Sequence, residues 1–171
     1  SAKFELTLAE NDVLSVYGDG KVLYSEAGNI TSVEGYTAAV AGEYKVYVNN
    51  KNEIYITAPV VAGEGETLLY LIPNSNWLQA GARFAIYYFS SAGNGWVSMT
   101  DSNGDGVYEA TVKTSEAPNI IFCRMNPGTS TNSWDNKWNQ TNDLTLPTDG
   151  TNCYTVQENT WDNGGGTWST K

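Results

Sequence analysis

The sequence of 171 residues contains no histidine. Histidine is the commonest general base, the usual activator of a nucleophilic serine or cysteine, and the commonest protein ligand of zinc. The chain also lacks the motifs of serine hydrolases, zinc proteases, phosphate-binding loops and dinucleotide-binding folds. Its 19 carboxylates always offer some pair of the kind that glycosidases use, so their presence carries no information. We therefore predict that this chain has no catalytic activity.

Long apolar runs and positive charges are also scarce. No stretch approaches the roughly 18 consecutive apolar residues of a membrane span. Lysine and arginine together number 9 against 19 acidic residues, which gives a net charge of −10 and argues against nucleic acid as a partner. The chain begins at Ser1 without an apolar leader. We expect a mature or excised fragment whose signal peptide was removed or not included.

Only two cysteines are present, Cys123 and Cys153. Each lies in an apolar, strand-like run. They can form one disulfide bond or serve as two small buried apolar residues, and the sequence leaves both alternatives open.

The apolar pattern predicts an all-β protein without a helix of useful length. Short alternating runs recur every 8–12 residues or so with turn signals between them, which is typical of a β-sandwich. The Gly- and Glu-rich segment 59–67 predicts a linker, with a boundary near residue 62. We predict a small accessory β-module at 1–62 and an antiparallel β-sandwich module at 63–171.

One loop resembles the beginning of a calcium-binding loop. Asp101, Asn103, Asp105 and Gly106 have the right spacing, but Val112 stands where such a loop needs a bidentate glutamate. A tight turn explains the same residues, because Asp, Asn and Gly accept unusual φ angles. We favour the turn and predict no cofactor, with calcium as the weaker alternative.

The aromatic residues are the most informative part of the sequence. All six tryptophans lie beyond residue 70, and Trp134 and Trp138 stand in the polar run SWDNKWNQ. A flat ring can cover the C–H face of a sugar, and amide groups can bond to its hydroxyls. Both side chains could instead fold back over the core. Trp161 and Trp168, in a Gly-rich tail, are expected to attach the C-terminus to the body of the module.

Residues 67–171 carry several linked sequence elements in order: LYLIPNSNW, ARFAIYYF, GWVSMTDSNGDGVYEATV, IIFCRMNP and WDNKWNQTNDLTLPTDGTNCYTV. This region resembles a starch-binding module of carbohydrate-binding family 26. Such modules are appended to bacterial α-amylases and occur in gut-bacterial surface starch-binding proteins. The N-Q-T-x-D-L element (Asn139 to Leu144) and the Trp of G-W-V-S-M are the most telling.

The resemblance implies a β-sandwich that cradles an α-1,4-glucan with two or three aromatic rings. A tyrosine before the Gly93–Asn94–Gly95 turn and the tryptophan after it stack on adjacent glucose units, which points to Tyr87 or Tyr88 and to Trp96. A glutamine of the N-Q-T element reaches sugar hydroxyls, which points to Gln140. With Trp134 and Trp138, which the polar run SWDNKWNQ indicates independently of the resemblance, the predicted ligand-binding residues are Tyr87, Tyr88, Trp96, Trp134, Trp138, Asn139 and Gln140.

The consecutive Tyr87 and Tyr88 depart from the family, which usually presents alternate aromatics on this strand. Side chains alternate between faces along a strand, so only one of the two can join Trp96. We favour Tyr87, because Phe84, Ile86 and Tyr88 would form the other face and fill the core. The loop with the two tryptophans is also longer than in shorter members of the family.

These features predict a secreted or cell-surface bacterial protein that binds starch, maltooligosaccharides and cyclodextrins without catalysis. It would act as a monomer that tethers an amylase or a cell surface to starch, and it can be a fragment of a larger α-amylase. The first 62 residues lack tryptophan and resemble no family as firmly. The alternative is a structural or adhesive extracellular β-domain without affinity for sugar.

Overall fold

The computed structural model describes all 171 residues, which form two units, Ser1–Pro59 and Val60–Lys171. The boundary lies within the irregular segment 58–65, three residues before the position that the sequence suggested. The all-β prediction is confirmed: apart from one short 3₁₀ turn, the regular elements are strands. No helix has the length and apolar character needed to cross a membrane.

The first unit has seven short strands. Their bounds are β1 Ala2–Leu8, β2 Val13–Leu14, β3 Val16–Gly18, β4 Lys21–Leu23, β5 Tyr36–Thr37, β6 Gly42–Val48 and β7 Ile54–Thr57. An antiparallel sheet has the order β1-β6-β7, and two small ribbons pair β2 with β5 and β3 with β4. Alternate residues of β6, Tyr44, Val46 and Val48, point into a core of their own.

The second unit has nine strands and a 3₁₀ turn at Gln79–Gly81. The strand bounds are β8 Glu66–Ile72, β9 Arg83–Ser90, β10 Gly93–Met99, β11 Tyr108–Lys113, β12 Asn119–Met125, β13 Lys137–Gln140, β14 Leu144–Thr145, β15 Cys153–Val156 and β16 Gly166–Ser169.

These strands form the two sheets of a sandwich. One has the order β10-β9-β12-β13, with β14 also paired to β12, and the other has the order β11-β8-β15-β16. Pairing is antiparallel, as the sequence predicted, except between β8 and β15, which run parallel. The core between the sheets includes Leu69, Leu71, Phe84, Phe122 and Trp77, each almost fully buried.

Two strands of this unit were not predicted. Residues 126–142 were expected to be a polar loop, but β13 lies within it and pairs with the end of β12. Strand β16 lies in the Gly-rich tail and pairs with β15. Both are edge strands with polar sequences, so they lack the apolar alternation that reveals a half-buried strand.

Both cysteines are free and buried, Cys123 on β12 and Cys153 on β15, in different sheets. In the structure the two cysteines therefore form no disulfide bond and serve as small buried apolar residues, the second alternative that the sequence left open. Burial raises the pKa of the Cys123 thiol to about 12, although the nearby Lys137 opposes the shift. Burial also raises the pKa of Cys153.

Candidate functional site

The β9–β10 hairpin brings a tyrosine and a tryptophan side by side. Tyr87 and Trp96 are directly paired in the antiparallel register, so their side chains share one face of the sheet. Their ring centroids lie 4.9 Å apart with the planes tilted by 55°. Both are half-buried and pack on a patch of small apolar residues, Ala85, Ile121 and Cys123, on the outer face of this sheet.

Strand alternation sends Tyr88 to the opposite face. Tyr88 packs against the inner core with Phe84 and Ile86, as the sequence predicted, and does not join Trp96. A Cβ at its strand partner Gly95 would clash with the hydroxyl end of the Tyr88 ring, so this ring position favours glycine there. The hairpin turn itself lies two residues earlier than predicted, at residues 91–92.

A third ring comes from the long loop between β12 and β13. The centroid of Trp134 lies 4.6 Å from that of Tyr87 and 4.9 Å from that of Trp96, with interplanar angles above 60° in both cases. Trp134 is the most exposed of the three, with 45% of its surface in water. We call Tyr87, Trp96 and Trp134 the aromatic triad.

Arg83, at the start of β9, fixes the loop that carries Trp134. Its guanidinium donates to the backbone oxygens of Asn126 (3.1 Å) and Thr131 (2.7 Å), to Thr129 Oγ1 (3.1 Å) and to Asn132 Oδ1. Asn132 in turn donates to Ser98 Oγ on β10 at 3.0 Å. Burial lowers the pKa of Arg83 from its usual value. The loop is thus bound to both strands of the hairpin.

A bulge in β13 places two polar side chains beside the triad. The register shifts between Arg124 and Met125, so that Lys137 and Gln140 lie on one face although they are three residues apart. Lys137 Nζ donates to Gln140 Oε1 at 2.7 Å and lies 5.8 Å from the centre of the Trp134 ring. Gln140 pairs with Cys123 of β12, and Cys123 pairs on its other side with Ala85 of β9. Ala85 and Tyr87 lie on the same outer face of the sheet.

Trp138 and Asn139 lie elsewhere, in contrast to the single site expected from the sequence. The Trp138 ring stacks on the guanidinium of Arg124, and Asn139 Oδ1 accepts a hydrogen bond from the same group at 3.2 Å. Trp161 also contacts Arg124 and is 44% exposed, although its ring was expected to attach the C-terminus. Trp168 does so, packing against Tyr154 and Phe122.

The loop of the calcium hypothesis is a tight turn. Asp101 accepts the backbone N–H groups of Asp105 (3.0 Å) and Gly106 (2.9 Å). The Lys171 ammonium lies 3.1 Å from Asp105 Oδ2. Burial raises the pKa of Asp105, but the N–H of Val107 and the charge of Lys171 outweigh it and lower the pKa overall. No group of three or more histidine, cysteine, aspartate or glutamate side chains is placed to hold a metal ion.

Sequence reasoning missed Arg83 and Arg124 as organisers of the surface. Both are charged residues at the end of otherwise apolar strand runs, RFAIYYF and NIIFCRM. A buried guanidinium needs several acceptors, so a charge in such a run is a signal that irregular backbone folds around it. The partners themselves could not be deduced, because they lie up to 49 residues away.

Comparisons of the chain with protein-family models, with curated proteins and with solved structures give no match.

Proposed function

We propose that this protein binds starch or related α-1,4-glucans without catalysis, through the aromatic triad. The observation that carries the proposal is the meeting of three aromatic rings, from two strands and a loop, on one sheet face beside a lysine and a glutamine. Sugar recognition needs this combination of apolar ring faces and hydrogen-bonding groups at their margin.

Each group has a distinct role in the proposal. The rings of Trp96, Tyr87 and Trp134 provide apolar faces, tilted by 55–67° to one another, for the C–H faces of glucose units. Gln140 and the Lys137 ammonium, already joined at 2.7 Å, address the hydroxyls at the edge of the sugar. Most of the ring positions are fixed before binding, which lowers the entropy lost on association.

The expected affinity is modest. Each stacked ring contributes about 1–2 kcal/mol, by analogy with other aromatic contacts. Two or three such contacts with a few hydrogen bonds correspond to dissociation constants from the micromolar to the millimolar range, roughly −8 to −4 kcal/mol. A polymer presents many equivalent segments, so several modules acting together hold it far more tightly than one.

The resemblance to carbohydrate-binding family 26 supports the same proposal for residues 67–171. It suggests a secreted or cell-surface bacterial protein whose module holds an amylase or a cell against starch. The net charge of −10 suits a neutral ligand. Maltooligosaccharides and cyclodextrins, which present the same curved glucan face, are the expected small ligands.

Isothermal titration with maltoheptaose on the parent and on Trp96→Ala tests the proposal. We expect binding in the parent and at least a tenfold weaker association in the variant, because loss of one stacked ring removes about 1.4 kcal/mol or more. Tyr47→Ala is the matched control, since Tyr47 is a similarly half-exposed aromatic on the first unit. It should bind as the parent does.

Two other results would contradict the proposal in different ways. Unchanged binding in Trp96→Ala would keep the function and remove the triad as its site. No heat from the parent with maltoheptaose, β-cyclodextrin or soluble starch would leave the structural or adhesive alternative.

A further inference from the structure

Arg124 is a buried cation without a carboxylate partner. The residue is only 5% exposed, and the ion pairs of the protein involve Lys45, Lys113 and Lys171 instead. Its guanidinium donates to the backbone oxygens of Trp77 (2.8 Å) and Gln79 (2.6 Å) besides the Asn139 side chain. Neutral acceptors alone therefore hold its plane in a fixed orientation.

Two indole rings flank this guanidinium. The Arg124 Cζ atom lies 4.6 Å from the centre of the Trp138 ring and 5.4 Å from that of Trp161. Cation–π contacts of this kind contribute about 0.5–2 kcal/mol each and fix the rings in place. Yet Trp138 and Trp161 remain 39% and 44% exposed.

Both rings lie against the Arg124 guanidinium and outside the apolar core clusters. The apolar clusters of the second unit include Trp77, Trp96 and Trp168 but neither Trp138 nor Trp161. Trp138 thus covers the guanidinium of a buried arginine and is not a member of the apolar core. Two large, oriented apolar surfaces stay in water, at a cost in hydration that core packing does not offset.

Polar groups border these rings. Asp162 Oδ2 accepts a hydrogen bond from Asn139 Nδ2 at 2.8 Å, and Asp162 Oδ1 accepts the Gln140 N–H at 3.0 Å. The Asp162 side chain is exposed and keeps further acceptor capacity. Ring faces bordered by a planar amide and a carboxylate match the apolar faces and hydroxyl rim of a pyranose.

We propose that Trp138, Trp161 and Arg124, with Asn139 and Asp162, form a second saccharide-binding surface for the same neutral glucan. This inference rests on the proposed function. Strand alternation separates the two surfaces: Arg124 and Asn139 pair on one face of the sheet, and Gln140 lies on the other face with the triad. A module with two surfaces can hold two segments of one polymer or bridge two chains.

The test is a nitrogen-15 NMR titration of the full chain with maltoheptaose, followed at the indole N–H signals of the six tryptophans. It is carried out on the parent, on Trp96→Ala and on Trp161→Ala, with the dispersion of the backbone spectrum as the check of folding. We expect the Trp138 and Trp161 signals to move with maltoheptaose in the parent and still to move in Trp96→Ala. In Trp161→Ala, the dissociation constant obtained from the Trp138 signal should rise at least tenfold. The Trp96 signal should move as it does in the parent.

Three results would overturn the second surface. If only the Trp96 and Trp134 signals move, the proposed function stands and the second surface fails. If the Trp138 and Trp161 signals move in the parent but not in Trp96→Ala, these rings extend the first site. If no indole signal moves in the parent, the proposed function fails as well. Movement of the Trp138 and Trp161 signals alone would support the second surface and remove the triad as the site.

Discussion

The three rings of the aromatic triad pack against one another and thereby stabilise one another. Their centroids lie 4.6–4.9 Å apart, within the range at which tilted aromatic pairs attract. Beneath them the outer face has small or flexible side chains, such as Ala85 and Cys123, which let the rings approach the sheet. Each ring supports the other two, so substitution of one is expected to disturb its neighbours.

The thiols are expected to be unreactive in the folded protein. Both are buried, and burial raises the pKa of Cys123 to about 12, so the nucleophilic thiolate is scarce at neutral pH. Ellman's reagent should detect no thiol in the native chain and both after unfolding in guanidinium. A sample treated beforehand with a phosphine reductant should give the same count. A lower count in the untreated unfolded sample would reveal a disulfide and contradict the structure.

At the scale of elements, the hairpin β9–β10 and the loop after β12 act together. Strand register alone pairs Tyr87 with Trp96, whereas Trp134 depends on the hydrogen bonds of Arg83 to residues 126–132. The site therefore has a part fixed by strand pairing and a loop part in which Arg83 makes four of the hydrogen bonds.

Arg83→Ala is expected to weaken maltoheptaose binding about three- to tenfold, because the loop loses the contacts that preorganise Trp134. The free energy of unfolding should fall by about 1–3 kcal/mol as carbonyl groups lose their donor. Calorimetric titration and urea unfolding measure the two effects. A double-mutant cycle with Trp134→Ala supplies the control: once Trp134 is absent, removing Arg83 should not weaken binding further. Full additivity would contradict the positioning role.

The turn at Asp105 should make a small, pH-dependent contribution to stability. Its pKa is lowered in the folded state, so its contribution is complete above the unfolded pKa of about 3.9 and is lost as pH falls through the folded value. Asp105→Asn should lower the free energy of unfolding by up to about 1 kcal/mol at pH 7, and this difference should shrink in acid. Glu64→Gln, at an exposed position, is the control. A difference that grows in acid would contradict the assignment.

The sequence was sufficient to predict which face of a regular strand each aromatic side chain occupies, but not where the residues of the loop before β13 lie. Alternation along RFAIYYF correctly separated Tyr87 from Tyr88, because the two-residue period depends only on strand geometry. The same reasoning grouped Trp134 with Trp138, and the structure separates them. The cause is that Trp134 lies in the loop before β13, which Arg83 binds to the hairpin, whereas Trp138 lies within β13 over Arg124. These contacts join residues far apart in the sequence and leave no periodic trace.

At the scale of the whole molecule, the net charge of the protein plays no part in the proposed binding of glucan. The chain carries a net charge of −10, whereas the proposed ligand is a neutral polymer. The sequence also contains no histidine, the side chain whose ordinary pKa of about 6.5 would make binding change near neutral pH.

The dissociation constant for maltoheptaose should therefore change less than about twofold between roughly 0.05 and 0.5 M NaCl, and also between about pH 5.5 and pH 8. Calorimetric titrations across both ranges measure this. The folded state should be checked by circular dichroism at each condition. A steep decline in affinity with salt would show that charged groups of the protein govern the binding of maltoheptaose, and it would contradict recognition through the ring faces.

The most direct measurement compares two glucans that differ only in the linkage between their glucose units. The parent chain is titrated calorimetrically with maltoheptaose and, under the same conditions, with a β-1,4-linked cello-oligosaccharide. The account predicts saturable binding of maltoheptaose in the micromolar to millimolar range and at least tenfold weaker binding of the extended β-linked chain, because the tilted rings suit a curved ligand. Equal affinity for both, or binding of the β-linked chain alone, would contradict recognition of α-glucan by the aromatic triad.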